Sequence, residues 1–156
     1  MAGRRCDETT ASANGARETV LRAPSSHESV ESMMERIAQI SRDYPLSDAA
    51  RYKLNFAVHE ALTNAVVHGN HTDPSKHVTV VCRGERDRMT VAIEDEGSGF
   101  DPDAVPDPTA GHNVLKESGR GILLIRACAD ECRYESGGRR VVIAKRFDLP
   151  HSPIAN

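Results

Sequence analysis

An acid, an amide and an imidazole recur at four-residue intervals within His59–Asn70, HEALTNAVVHGN. At about 3.6 residues per turn, a helix would carry Glu60, Asn64 and His68 along one side. That stripe could form one wall of a binding site, with the amide oxygen of Asn64 as a metal ligand. The alternative is a solvated face, although such faces more often carry better helix formers than asparagine and histidine.

A second stretch, Glu94–Phe100 (EDEGSGF), places an acid and two glycines at the end of a predicted strand. A carboxylate there can accept a hydrogen bond from an exocyclic amine, such as that of a purine. Glycines also let the backbone approach a ligand closely. Asp95, Gly97 and Gly99 are therefore candidate ligand-binding residues, and the alternative is an ordinary turn.

A third stretch, Glu117–Ile125 (ESGRGILLI), predicts a glycine-rich turn that opens an apolar helix. Such a turn presents unpaired N–H groups and the positive end of the helix dipole, which suit an anion. We expect Gly119 and Gly121 to form the turn, and Lys116 and Arg120 to add charge that could meet a phosphate. A plain helix start is the alternative.

The order of the three stretches is more informative than any one of them. An amide that could bind a metal comes first, then a carboxylate suited to a purine, then a long loop rich in glycine and proline at 97–118, then a phosphate-facing turn. Loops of that length inside a domain are usually functional. Together the stretches predict a nucleotide-binding site.

Apolar periodicity predicts the elements that must position these residues. Three helices are expected, starting near Ser25 or Ser26, near Ser47 or Asp48, and at the turn of the third stretch. The second helix carries the first stretch, and its core stripe consists of Leu54, Val58, Ala61, Leu62 and Ala65. Strands are expected at 17–23, in two parts of 77–94 around the turn GERD, and on either side of Gly137 and Gly138.

This order of elements contains more hairpins than crossovers. The predicted fold class is therefore a two-layer α/β (α+β) sandwich, with a mixed, mostly antiparallel sheet and three helices on one face. The 156 residues suit one domain. We expect a disordered tail at 1–16, which is small, polar and aperiodic, the folded domain at 17–148, and a C-terminal tail at 149–156.

Composition narrows the classes of partner. A net charge of −3, from 20 basic and 23 acidic residues, gives no electrostatic footprint for nucleic acid or an anionic membrane. No apolar run approaches the roughly 18 residues of a membrane span, and the first residues lack the apolar core of a signal peptide. We therefore expect a cytoplasmic protein that binds neither nucleic acid nor membrane.

The three stretches, in this order, resemble the ATPase superfamily with the Bergerat fold, which includes gyrase, Hsp90, histidine kinases and MutL. The resemblance is closest to bacterial anti-sigma factors that are also serine-protein kinases. HEALTNAVVHGN resembles the N-box of that family, EDEGSGF its strand end, and SGRGILLIRACADE its second glycine box. The resemblance runs from about Thr19 to Phe147 and implies the Bergerat ATP-binding fold.

This resemblance implies ATP and Mg²⁺ as cofactors. Asn64 resembles the amide that coordinates Mg²⁺ on the phosphates, and Glu60 resembles the general base that accepts the proton of the attacking hydroxyl. Asp95 resembles the carboxylate that contacts the adenine amine, with Gly97 and Gly99 allowing its close approach.

The resemblance also covers the phosphate side of the site. Gly119 and Gly121 resemble the phosphate-facing turn, with Arg120 between them, and Lys116 occupies the position of a basic lid residue.

One departure from the family lies beside the last strand. Relatives often carry a threonine there, after a glycine, that supports the adenine carboxylate, whereas this chain has the stretch 138–141, GRRV. Support for Asp95 could instead come from water, Thr79 or Thr90.

The function implied by the resemblance is that of an ATP-binding anti-sigma factor with serine/threonine-protein kinase activity. It would phosphorylate an anti-sigma-factor antagonist, sequester a sigma factor and form a homodimer. The alternatives are an ATP-binding switch with little or no kinase activity and a detached histidine kinase catalytic domain. A zinc site on His59, His68, His71 and His77 is a remote alternative, because these residues mix helix and loop positions.

Overall fold

The computed structural model describes residues 6–103 and 117–148, in which an open six-stranded sheet carries three α-helices on one face. The helices are α1 (His27–Ser41), α2 (Asp48–Thr63) and α3 (Glu117–Cys128). The strands are β1 (Asp7–Ala13), β2 (Ala16–Pro24), β3 (His77–Gly84), β4 (Arg88–Glu94), β5 (Glu131–Glu135) and β6 (Arg140–Arg146). Lys116, most of the predicted long loop and the predicted C-terminal tail lie outside the described residues.

The strands lie in the order β1-β2-β3-β4-β6-β5. Every pairing between these strands is antiparallel. The sheet was expected to be mixed and mostly antiparallel, and these strands show no parallel pairing. Four of the five pairs of adjacent strands are also consecutive in the chain. The exception is β4 with β6, because β6 lies between β4 and β5 in the sheet. The predicted two-layer sandwich is confirmed.

The core lies between the helices and one face of the sheet. Alternate residues of a strand point to opposite faces, and in β3 the side chains of Val78, Val80 and Cys82 point to the core. The predicted apolar stripe of α2 packs against that face, and Leu54 and Leu62 have no exposed surface. Truncating one such side chain to alanine costs about 2–5 kcal/mol.

Serine side chains set the starts of the first two helices. The hydroxyl of Ser26 accepts a hydrogen bond from the N–H of Ser29 at 3.1 Å, and that of Ser47 accepts one from Ala50 at 3.1 Å. These are the predicted caps, each satisfying an N–H group that the helix leaves free. In residues 6–103 and 117–148, no helix combines the length and the apolar character that crossing a membrane requires.

The second helix ends in a π-helical turn, Asn64–Gly69, that continues α2 without a break. Its wider hydrogen-bonded ring is visible where the N–H of Asn70 bonds to the carbonyl of Ala65 at 2.9 Å. Turns of this kind occur frequently at functional sites. Here the turn contains part of the first sequence stretch.

Residues 7–13, expected to belong to a disordered tail, instead form the edge strand β1 along β2. Both of its faces are exposed, so it lacks the apolar alternation by which strands are recognised. The missed signal is the Asn14-Gly15 turn, whose two positive φ angles of 52° and 75° fit a tight hairpin.

An ion pair fastens this strand to the helical layer. The guanidinium of Arg36 in α1 donates two hydrogen bonds, each of 2.7 Å, to the carboxylate of Glu8 in β1. This bidentate geometry holds the pKa of Glu8 below its ordinary value.

We expect Arg36→Ala to loosen β1 without unfolding the domain. The pair is partly exposed, so its loss should lower the free energy of unfolding by less than about 1 kcal/mol. The amides of β1 should nevertheless exchange with deuterium faster than in the wild type. Arg133→Ala removes an exposed pair within β5 and is the control. Equal exchange of β1 in both variants would contradict the role of Arg36.

Candidate functional site

A cleft opens on the helical side of the sheet, where β4 and β6 meet the end of α2. One wall is formed by α2 and its π-helical turn, another by α3, and the segment after β4 closes the base. The lining residues are Ala61, Asn64, Ala65, His68, Gly69, Ile93, Asp95, Ser98, Gly99, Phe100, Ile122, Tyr134, Gly138, Arg139 and Val141.

Asp95 is held at the base of this cleft by backbone groups. Its own N–H donates to the carbonyl of Arg139 at 3.0 Å, which fixes the end of β4 beside β6. Its Oδ1 accepts a hydrogen bond from the N–H of Gly97 at 2.8 Å, and its Oδ2 has no hydrogen-bond partner among the described residues. Burial raises the pKa of Asp95, although the Gly97 N–H and the charge of Arg139 oppose that rise.

The backbone around Asp95 is packed too closely for side chains. A Cβ on Gly69 would overlap the Asp95 carboxylate, and one on Gly97 would overlap the carbonyl of Gly69. Gly99 has a φ of +77° and lies against the carbonyl of Gly137, so it needs glycine for both conformation and space. The end of the π-helical turn is therefore in direct contact with the segment after β4.

Glu60, in α2, and Asn64, the first residue of the π-helical turn, face α3. A Cβ built on Gly121 would be 3.2 Å from Nδ2 of Asn64 and 3.5 Å from Oε2 of Glu60. The first and third sequence stretches are therefore in contact here, where Glu60 and Asn64 lie beside Gly121. Amide and carboxylate oxygens are the donors that Mg²⁺ prefers, together with water and phosphate oxygens.

The third stretch differs from its prediction in one respect. We expected Gly119 and Gly121 to form a turn before the helix, but α3 begins at Glu117 and contains both. The first four N–H groups of a helix have no partner within it. Counted from the residue before α3, Gly119 is the last of these four, whereas Arg120 is the first residue whose N–H the helical pattern pairs.

Apolar and aromatic residues line the cleft beside the predicted polar residues. Ile93 and Val141 form part of its surface on the sheet, and Ile122 contributes from α3. The rings of Phe100 and Tyr134 meet edge to face at the rim, with centroids 5.4 Å apart. Such a slot suits a planar ring. Sequence reasoning missed these residues because their strand and helix patterns indicated only the core.

The support for Asp95 comes from neither threonine. Thr90 lines a concavity on the opposite face of the sheet, and Thr79 shares that face because Val78 and Val80 point to the core. His68 lies in the lining and is largely exposed. Across 6–103 and 117–148, no three His, Cys, Asp or Glu side chains are grouped to hold a metal.

Comparison with known proteins gives consistent relatives. The family model of the histidine kinase-like ATPase domain matches residues 23–145. An anti-sigma F factor of Clostridium beijerinckii is 31% identical over 98 residues, which cover 60% of this chain and 68% of the relative. The serine-protein kinase RsbW of Bacillus subtilis is 36% identical over 89 residues, covering 53% and 56%. The anti-sigma F factor of Oceanobacillus iheyensis is 32% identical over 100 residues, covering 61% and 68%. The chain thus spans between about half and two thirds of each of these relatives.

We expect Asp95→Asn to raise the free energy of unfolding at neutral pH. The raised pKa of Asp95 shows that folding penalises its charged form. Because solvent screens this half-buried group, the gain should stay below about 1 kcal/mol. This gain in stability should be complete above the pKa that Asp95 has in the folded protein, and it should shrink as the pH falls through that pKa. It should vanish below 3.8, the ordinary pKa of an aspartate. Urea denaturation at several pH values measures it.

Asp73→Asn is the matched control for this measurement. Asp73 lies at the surface, and its hydrogen bonds from Ser75 lower its pKa. Its replacement should therefore destabilise the protein at neutral pH. A loss of stability in both variants would contradict the account given for Asp95.

Proposed function

This chain belongs to the histidine kinase-like ATPase family, and we propose that it is an anti-sigma factor with serine/threonine-protein kinase activity. It binds ATP with Mg²⁺, phosphorylates an anti-sigma-factor antagonist and sequesters a sigma factor. The observation that carries the proposal is one cleft whose lining contains both a half-buried carboxylate and an amide, with an acid one helical turn from that amide. Asp95 and Asn64 both line that cleft, and Glu60 lies one helical turn from Asn64.

The base of ATP occupies the apolar slot in this proposal. The carboxylate of Asp95 accepts a hydrogen bond from the 6-amino group of adenine, using the oxygen that Gly97 leaves free. Ile93 and Val141, which are neighbours on the sheet, contact one face of the ring. The close packing of Gly69 against Asp95 keeps water away from one side of the carboxylate.

The phosphates extend toward α3. When bound, Mg²⁺ neutralises phosphate charge and helps to orient the γ-phosphoryl group. The amide oxygen of Asn64 would hold that ion, while the N–H of Gly119 and the charged side chain of Arg120 would contact phosphate oxygens. We propose that Gly121, which carries no side chain, lets the phosphates approach α3 closely, and that the positive charge of Lys116 contacts them.

Transfer requires one proton acceptor. A serine or threonine hydroxyl of the antagonist forms a bond to the γ-phosphorus as the bond from that phosphorus to the bridging oxygen of ADP breaks. The carboxylate of Glu60 accepts the hydroxyl proton, and ADP leaves. Gly121 has no side chain between Glu60 and Asn64, so the acid and the metal ligand act side by side.

The partners are proposed from the names of the relatives. Two of the relatives are anti-sigma F factors, and one is a serine-protein kinase. An anti-sigma factor with kinase activity combines both names in one protein. Phosphorylation would add a doubly charged group to the antagonist and thereby weaken its binding, which leaves the sigma factor bound.

The homodimer is proposed through the open face of the sheet, meaning the face opposite the helices. Its centre is small and apolar, with Val81, Ala92, Val142 and Ala144 around Thr90. Its rim carries charges of both signs, among them Glu18, Arg83, Arg88, Glu131, Arg133 and Arg140. A two-fold interface brings the same patch of two copies together, so a patch with both signs can pair with itself.

Glu60→Gln is expected to leave the dissociation constant for ATP within about twofold and to slow phosphoryl transfer at least about 100-fold, because a general base contributes that much. The antagonist can be recovered by pull-down with and without ATP, and transfer measured with labelled ATP, Mg²⁺ and phosphosite mapping. His59→Gln, an exposed neighbour on the same helix, is the control.

The outcomes of that assay separate the alternatives. Unaltered transfer by Glu60→Gln would refute its assignment as the base. A wild type that binds ATP and both partners without transfer is an ATP-dependent switch instead. An acid-labile label on a histidine of the partner would identify a histidine kinase catalytic domain.

Val81→Lys is expected to weaken the homodimer at least about tenfold, because it places two like charges at the centre of the paired open faces. Sedimentation equilibrium measures the dissociation constant. The control is Tyr52→Lys, which alters an exposed apolar residue on α2, in the helical layer. A monomeric wild type, or equal weakening by both variants, would contradict this interface.

A further inference from the structure

The most completely hydrogen-bonded polar side chain near the cleft is that of Asn70, which has no exposed surface. Its Nδ2 donates to the hydroxyl of Ser25 at 2.6 Å and to the carbonyl of His77 at 2.9 Å. Its Oδ1 accepts a hydrogen bond from the N–H of Glu96 at 2.8 Å. A carboxamide uses two donors and one acceptor here, and a hydroxyl or a carboxylate cannot supply all three.

These bonds join three segments that are distant in the chain. Ser25 lies between β2 and α1, His77 begins β3, and Glu96 follows β4. The main chain of Asn70 is also fixed, because its N–H bonds to Ala65 at 2.9 Å and its carbonyl accepts from Asp73 at 3.0 Å. Asn70 therefore has a single position relative to the sheet.

The position of Asn70 determines the surroundings of Asp95. Gly69, its neighbour in the chain, lies against the Asp95 carboxylate, and Gly97 lies against the carbonyl of Gly69. Glu96, whose N–H bonds to Asn70, is the residue between Asp95 and Gly97. The Asn70–Glu96 bond thus lies within the contact between the π-helical turn and the segment after β4.

We propose that Asn70 is a positioning residue, which holds the Asp95 carboxylate at hydrogen-bonding distance from the purine amine and so determines how strongly the site selects a 6-aminopurine. This inference rests on the proposed ATP site. Hydrogen bonds weaken steeply with distance and angle. Loss of the Asn70 bonds lets Glu96 and Gly97 move, and the carboxylate moves with them because its Oδ1 bonds to Gly97.

The test compares two ligands rather than one. ATP and purine riboside triphosphate differ only by the 6-amino group, and calorimetry gives a dissociation constant for each in the presence of Mg²⁺. The wild type should bind ATP at least about tenfold more tightly, because the second ligand leaves the half-buried charged acceptor unpaired. The ratio of the two constants does not depend on the folded fraction of the sample.

Asn70→Ser should reduce that ratio to within about threefold of unity, as should Asp95→Asn, the reference variant. Asn55→Ser is the matched control, because it shortens an asparagine of α2 that does not line the cleft, and it should keep the wild-type ratio. If Asn70→Ser does not fold, Ser25→Ala is used, since it removes one partner of the carboxamide and changes no residue that lines the cleft. Its ratio should fall at least about threefold.

The outcomes distinguish a failure of the role proposed for Asn70 from a failure of the proposed ATP-binding function. A wild type that binds neither triphosphate refutes the proposed function, and the inference falls with it. A wild-type ratio that falls in Asp95→Asn but not in the folded Asn70 or Ser25 variant overturns the inference alone. An equal fall in Asn55→Ser would also overturn it, because any loss of packing in α2 would then have the same effect.

Discussion

The contact between the backbone of Gly69 and the carboxylate of Asp95 is the constraint on which the site depends. It joins the end of the helical layer to the end of a central strand, with no side chain between them. Gly69 can approach the carboxylate so closely because it has no Cβ, and the hydrogen bonds of Asn70 hold the helix end in this position. The cleft forms where the two layers diverge from this contact.

The same contact has an electrostatic consequence. It removes water from a carboxylate that has one N–H donor, from Gly97, and no hydroxyl partner among the described residues. The pKa of Asp95 rises because burial outweighs the nearby charge of Arg139. Such a penalty persists in a folded protein when the surrounding structure supplies enough stability elsewhere, as the apolar core between α2 and the sheet does here.

The sequence predicted those parts of the fold that follow from periodicity and end signals. Apolar alternation located the central strands, and Ser26 and Ser47 located the starts of two helices. The edge strand β1 was missed, because a strand exposed on both faces has no alternation. Of the residues that the three motifs predicted for the site, Asn64, Asp95 and Gly99 line the cleft. Its apolar lining and the partners of Asn70 come from tertiary packing that spacing does not encode.

The π-helical turn changes the direction in which side chains point along the continuous segment of α2 and the turn. Before Asn64 the helix follows the ordinary α-helical period, which orients Glu60 and Asn64 toward α3. The wider turn then shifts the phase, so that Gly69 faces Asp95 instead of continuing the earlier stripe. One continuous segment can therefore contact both ends of an elongated ligand. Residues before the turn and residues at its end therefore contact different parts of the site.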